Sequence, residues 1–146
     1  MWYMKFETTI DIDAAAPTVW SVLADVTRWP EWTPTMTEVR LREGERLGPA
    51  GSAEIRQPRL PRAVWTVTEF EDGRRFAWAA GGPGVRTVGD HVVEPLGADR
   101  CRVTLGIETT GALSRPFWLL AGGLTRRYVT LEADSLKRRC ERVTAS

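Results

Sequence analysis

The 146-residue chain reads as an α+β protein. The expected architecture is a curved seven-stranded antiparallel sheet wrapped around a long C-terminal helix, with two short helices between the first and second strands. Three observations predict it. Seven short runs alternate apolar and polar side chains with the two-residue period of a strand, turn-forming Gly, Pro and Asp punctuate them, and from Pro116 onward helical spacing replaces the alternation. Strands followed by one terminal helix make a layered α+β arrangement.

The first strand is Phe6–Asp13, where Phe6, Thr8, Ile10 and Ile12 oppose Glu7, Thr9, Asp11 and Asp13. Pro17 then suits the first position of a helix, and Val19, Trp20 and Leu23 recur at helical spacing to about Val26. Pro30 cannot continue that helix without losing a hydrogen bond, so Thr27–Trp32 is a second short helix or turn. Strands follow at Thr37–Arg42 and Ala53–Gln57, joined by EGERLGPAG, and Pro58 and Pro61 break the next connection. Val64–Phe70 alternates too, but the pattern does not show whether Trp65, Val67 and Glu69 or Val64, Thr66 and Thr68 face inward. The EDGR turn at Glu71–Arg74 is the clearest hairpin signal. Arg75–Ala79 carries Phe76 and Trp78 on one face, the Gly81–Gly84 loop follows, and Arg86–Glu94 places Thr87, Gly89, His91 and Val93 together. After PLGADR, Val103, Leu105, Ile107 and Thr109 oppose Arg102, Thr104 and Glu108.

From about Pro116 to Arg142, Leu120, Leu124, Tyr128, Leu131 and Ser135 fall on one helical stripe, and Gly122–Gly123 predicts a kink or a close backbone contact. No repeat, linker or second domain is evident, so residues 1–146 are read as one domain. Seven twisted strands curl, and a helix across the concavity meets the rim before the floor, which leaves an internal space.

Lys and Arg number 20 against 19 Asp and Glu, giving a net charge of +1 with no run of like charge. This argues against a nucleic acid or an acidic membrane as partner, since either needs a concentrated cationic surface. No leader-like segment is evident, and the longest apolar stretch, Phe117–Leu124, is far shorter than a bilayer span. A cytoplasmic protein, monomeric or weakly dimeric, is expected. The two cysteines, Cys101 and Cys140, are read as neighbouring free thiols, one at the start of the last strand and one near the end of the helix returning beside it. One histidine and two distant cysteines give no metal-ligand spacing, the glycine-rich stretches lack the Lys-Ser/Thr of a phosphate cradle, and no cofactor is implied.

Seven tryptophans stand beside a single histidine, His91. The inward faces nominate a cavity lined by Ile55, Gln57, Trp65, Val67, Phe76, Trp78, Thr87, His91, Val93, Leu105, Ile107 and Thr109 from the sheet, with Leu120, Leu124, Tyr128 and Leu131 from the helix. Unpaired inward polar groups cost about 1–3 kcal/mol each, so Gln57, Thr87 and Thr109 must meet one another, water or a ligand. His91 is either a hydrogen-bonded core residue or a proton carrier, and Tyr128 either packing or a ligand hydrogen bond.

The first strand running into IDAAAPTVWSVLADVTRWPEW, the VWTVTEF strand, the VVEPLGADRCRVT hairpin and the terminal helix ending in LKRRCE together resemble the START-like, or SRPBCC, superfamily of helix-grip proteins, in particular its polyketide cyclase/dehydrase-like branch. The resemblance spans nearly the whole chain and implies a cavity for a hydrophobic, lipid- or polyketide-like molecule. It leaves two principal readings: binding without chemistry, or an aromatase/cyclase or dehydratase in which His91, Tyr128 and either Arg86 or Glu69 handle protons. A chaperone-cofactor-like interaction module is a third.

Overall fold

The computed structural model describes residues 3–145, so Trp2 lies outside the described residues. The element order is β1 (Tyr3–Ile12), α1 (Ala16–Ala24), a 3-10 helix (Val26–Glu31), β2 (Glu38–Leu41), β3 (Ser52–Arg56), β4 (Ala63–Glu71), β5 (Arg75–Gly82), β6 (Val85–Gly97), β7 (Arg100–Thr110) and α2 (Ser114–Ala145). The strands form one antiparallel sheet in the order β1-β7-β6-β5-β4-β3-β2. β2 to β7 are therefore a continuous meander, and β1 closes the edge beside β7, with Tyr3 opposite Thr110 and Ile12 opposite Cys101.

Local chemistry accounts for the elements. Pro17 lies in the first turn of α1, which buries Val19, Trp20 and Leu23. The 3-10 helix holds Pro30, and its buried Trp29 donates its indole N–H to the Leu23 carbonyl at 2.9 Å, pinning the second helix to the end of the first. β4 carries a bulge between Val67 and Glu69. Before it Trp65 and Val67 turn inward; after it Phe70 does, and Glu69 is exposed. Neither face of the simple alternation is thus the inner one throughout. β5 and β6 run on to Gly82 and from Val85, so the glycine-rich loop is a tighter hairpin than the sequence suggests.

α2 has 32 residues, about 48 Å of helix. Its buried face is Trp118, Gly122, Val129, Ala133, Leu136 and Cys140, not the predicted leucine stripe: Leu120 is 90% exposed, and Leu124 and Leu131 are only partly covered. The inner face uses small residues because the helix lies against β1 and β7 and on α1, and small side chains let backbones approach. Across Gly122–Gly123 the helix stays continuous, and the predicted close contact is intrahelical, the Trp118 indole lying over Gly122 where a Cβ would meet it at 2.9 Å. At the other end of the helix Cys140 is fully buried and near enough to Cys101 to feel its charge; burial first, and that neighbour second, push its thiol up to about 12. Both thiols are free.

The β7–α2 junction is tied to the β5–β6 hairpin. Leu113 donates its backbone N–H to the Gly84 carbonyl at 2.8 Å, and Gly111 adopts φ 113° where a Cβ would stand 2.3 Å from that same carbonyl. Gly111→Ala therefore combines left-handed strain with a backbone clash. It should destabilise the protein by about 2–4 kcal/mol, read from denaturant midpoints at unchanged slope.

Candidate functional site

α2 crosses the sheet on one side only. Among the described residues its backbone packs on β1, β7 and β6, and makes no close backbone contact with β2, β3, β4 or β5. The uncovered space is a cavity of about 250 Å³. Its floor is aromatic: Trp78 on β5 lies 5.5 Å from Trp29 and 6.0 Å from Trp65, ring centre to ring centre, in edge and tilted geometries. Gly89, beside Trp78 on β6, makes room for this ring, since a Cβ there would stand 3.2 Å from the indole nitrogen. Leu105, Ile107 and Val129 complete the apolar wall, and Leu60, Pro61, Gly81, Val85 and Phe117 form the mouth.

His91 stands in this wall and is 5% exposed. Its ring stacks on Phe76 at 4.1 Å and meets Trp78 edge-on at 5.7 Å. Nδ1 lies 3.1 Å from the Phe76 carbonyl. A carbonyl only accepts, so Nδ1 carries the proton and Nε2 is left as an acceptor. Burial drives the imidazole down to about 4, outweighing the Phe76 carbonyl and the Asp90 charge that favour the cation. The Asp90 carboxylate turns away to Arg75, at 2.9 and 3.1 Å, and takes the His91 backbone N–H, not its ring.

Opposite the sheet, α2 contributes Glu132, a residue that the inward faces of the strands could not reveal. Its Oε1 accepts a hydrogen bond from Thr35 Oγ1 at 3.1 Å, and Thr35 is linked in turn to Thr33 at 2.9 Å, both threonines being buried. Glu132 is half-buried and lines the cavity. Burial pushes this carboxyl up to about 7, against the Thr35 hydrogen bond that holds it down. The cavity thus holds one carboxyl that titrates near neutrality and one imidazole that is neutral there. The signal was in the sequence. Glu132 follows Thr125 and Val129 at helical spacing and precedes Leu136 by one turn, but the stripe drawn through the leucines places it on the flank.

Of the sixteen nominated residues, Ile55, Gln57, Trp65, Trp78, Thr87, His91, Leu105, Ile107 and Tyr128 line the cavity. Val67, Phe76 and Val93 face inward but are packed into the core beside it. Thr109, fully buried, meets Thr87 across the strand pair at 3.3 Å, so these two threonines satisfy one another. Leu120, Leu124 and Leu131 do not reach the cavity, because the helix is rotated from the leucine stripe so that its small residues meet β1 and β7. Tyr128 donates its hydroxyl to the Pro58 carbonyl, joining α2 to the β3–β4 loop. Arg86 is exposed, and Glu69, beyond the β4 bulge, pairs with Arg75 at 2.7 Å on the outer face; neither lines the cavity. Residues missing from the nominated set but present include Trp29, Met36, Phe117, Thr125, Val129 and Glu132.

A sheet closed on one flank by a long helix, with an apolar hollow under the other flank, defines a helix-grip protein of the START-like class. The sequence profile of the family described as polyketide cyclase/dehydrase and lipid transport matches residues 3–141, and the chain belongs to that family. Among solved structures, the Zhui aromatase/cyclase from Streptomyces sp. R1128 superposes with a TM-score of 0.79 at 19% identity, over 97% of this chain and 95% of that one. Norcoclaurine synthase from Thalictrum flavum gives 0.77 at 13%, over 98% and 97%. A START superfamily protein from Mycobacterium smegmatis gives 0.72 at 16%, over 95% and 98%. Such identities establish the shared fold. No curated protein matches the chain.

The two buried titrating groups make opposite demands on stability. The unfolded His91 takes a proton below its ordinary 6.5 while the folded one refuses it until about 4, so its contribution is lost as pH falls through that window. The unfolded Glu132 ionises above 4.5 and the folded one only near 7, so its contribution is lost as pH rises between them. Where the windows overlap the slopes cancel. Glu132→Gln should uncover the His91 slope and gain up to about 3 kcal/mol over the parent above pH 7. His91→Gln should uncover the opposite slope, and denaturant titrations across the pH range read both.

Proposed function

We propose that the protein binds a compact, largely apolar, ring-bearing molecule, lipid- or polyketide-like, in the cavity between the sheet and α2. The observation that supports this reading most is the aromatic floor of Trp29, Trp65 and Trp78 beneath a hollow whose few polar groups, Gln57, Thr87, His91 and Glu132, are spread around it. An apolar hollow of about 150 Å³ already accepts benzene, and sites for drug-sized ligands start near 300 Å³. At about 250 Å³ the cavity suits a small fused-ring or short-chain guest. A panel of aromatic polyketides, flavonoids and short lipids should quench tryptophan emission, and a true ligand at about a hundred times its Kd should raise Tm by several degrees. Native mass spectrometry of freshly purified protein would weigh a co-purifying guest. Absence of any shift across the panel would remove the binding reading.

Glu132 favours a second reading, an aromatase/cyclase or dehydratase acting in the same cavity. A carboxyl near 7 is half ionised at neutral pH and can both take and return a proton. On a β-hydroxyketone, ionised Glu132 removes the α-proton; the C–H electrons form the new C=C bond as the β-hydroxyl leaves. The same carboxyl then gives that proton to the leaving oxygen, releasing water. Nε2 of His91, an acceptor only, holds a substrate hydroxyl in place. Turnover of a β-hydroxyketone surrogate should follow a group titrating near 7 and fall by roughly 10²–10⁴ in Glu132→Gln. Tyr128→Phe should change it little, because that hydroxyl is committed to Pro58. Turnover indifferent to Glu132→Gln would exclude this chemistry.

A further inference from the structure

Glu132 is a cavity carboxyl that the chain leaves without a counter-charge. Its hydrogen-bond partner among the described residues is the Thr35 hydroxyl, and its titration is moved by burial and by that hydroxyl, with no charged neighbour contributing. The helix that carries it is rich in bases, Arg126, Arg127, Lys137, Arg138 and Arg139 among them, yet the positions one turn away on either side are Tyr128, Val129, Ser135 and Leu136. The ion pairs that α2 does form, Lys137 with Glu141 and Arg139 with Glu31, lie further along it. Across the hollow on β6, His91 is neutral and the Asp90 carboxylate is taken by Arg75. From the segment before β2 come Thr33, Thr35 and Met36, none of them charged.

The rest of the wall offers acceptors and aromatic surface. Tyr128 gives its hydroxyl proton to the Pro58 carbonyl and Thr125 to the Ala121 carbonyl, while Thr87 and Thr109 bond one another. His91 keeps a lone pair on Nε2. Among the described residues no Lys or Arg lines the cavity. Trp29, Trp65 and Trp78 supply the side-chain type that attracts a cation most strongly. A carboxylate removed from water requires an opposite charge, and here the space for one is open and floored with indoles.

We propose that the guest of this cavity carries a protonated nitrogen: a compact ring-bearing amine whose ammonium pairs with Glu132 while its rings lie on the tryptophan floor. This rests on the reading of the cavity as a binding site and narrows that guest by its charge. An anionic guest, such as a free fatty acid or a carboxylated ring, would set two negative charges in one poorly solvated space. An alkyl ammonium enters charged at neutral pH and draws Glu132 into its ionised form. Because that carboxyl is half ionised near 7, uptake of the amine there should expel about half a proton per guest.

The test is titration calorimetry of the full chain with three probes of one shape: naphthylmethylamine, naphthylmethanol and naphthoate. At about pH 8 the amine should bind roughly tenfold tighter than the alcohol, and the acid more weakly than either. Amine affinity should rise several-fold from about pH 6 to 8, and repeating the titration in buffers of different ionisation heat counts the expelled proton. Glu132→Gln should erase the preference for the amine over the alcohol, the pH dependence and the proton release, with a Tm no lower than the parent's to show that it folds. Equal binding of amine and alcohol overturns the proposal, as does an amine preference that survives Glu132→Gln; both leave the cavity reading standing. An amine that fails to bind while neutral ring compounds do so overturns it too. Silence from the amine and from every neutral compound overturns the cavity reading and the proposal with it.

Discussion

The structure turns on how near α2 can come to the sheet. Ala133, Ser135 and Cys140 let its backbone settle on β1 and β7, and once there it cannot also cover β3, β4 and β5 across a curved sheet. The far flank must then be filled by side chains long enough to reach, and those supplied are tryptophans. Trp29, Trp65 and Trp78 cover the floor but do not fill the volume, because planar rings at edge and tilted angles pack on each other and leave space above. The hollow is a consequence of small residues on one element and large flat ones on another.

That enclosed, poorly solvated space sets the chemistry of whatever lines it. Burial disfavours charge in either direction, so it lowers an imidazole and raises a carboxyl by the same cause. His91 is further fixed by the Phe76 carbonyl and by stacking on the Phe76 ring, which locks one tautomer. Among the described residues Glu132 has only Thr35 as partner, and it retains cavity surface, so it is the more adaptable of the two. A guest with a hydroxyl or carbonyl group would meet an acceptor on the sheet side and, near neutrality, either a donor or an acceptor on the helix side.

Most of the architecture was legible because the strands alternate and their turns are chemically marked; the inward faces of β3, β5, β6 and β7 follow from period two alone. β4 was not legible, since one bulge at Val67–Glu69 exchanges the two faces halfway along, and no residue there announces it. The helix was misread for a physical reason. Leucines usually mark a buried stripe, but here tight contact selects small residues inward and leaves Leu119 and Leu120 outside. Rotating the stripe removed Leu120, Leu124 and Leu131 from the cavity and brought in Thr125, Val129 and Glu132. The most chemically distinctive residue of the site was therefore the one that a hydrophobic pattern is built to overlook.

Access to the cavity is governed by two tethers of unequal strength. On one side the Leu113–Gly84 backbone bond joins rigid elements, and a neighbouring glycine at positive φ fits the junction without strain. On the other, the β3–β4 loop turns tightly, Leu60 N–H bonding the Gln57 carbonyl at 3.2 Å, with Pro58 second in the turn and Arg59 third at φ 68°. The third position of such a turn favours glycine, so Arg59 stores about 1 kcal/mol or more of strain, held in place by the Tyr128 hydroxyl on Pro58. Breaking one hydrogen bond there costs on the order of 1 kcal/mol and releases that strain. The β3–β4 side of the mouth is therefore the softer one, and on the binding reading proposed above a guest larger than the closed hollow would enter by displacing this loop, while the helix and the β5–β6 hairpin stay where the sheet has put them.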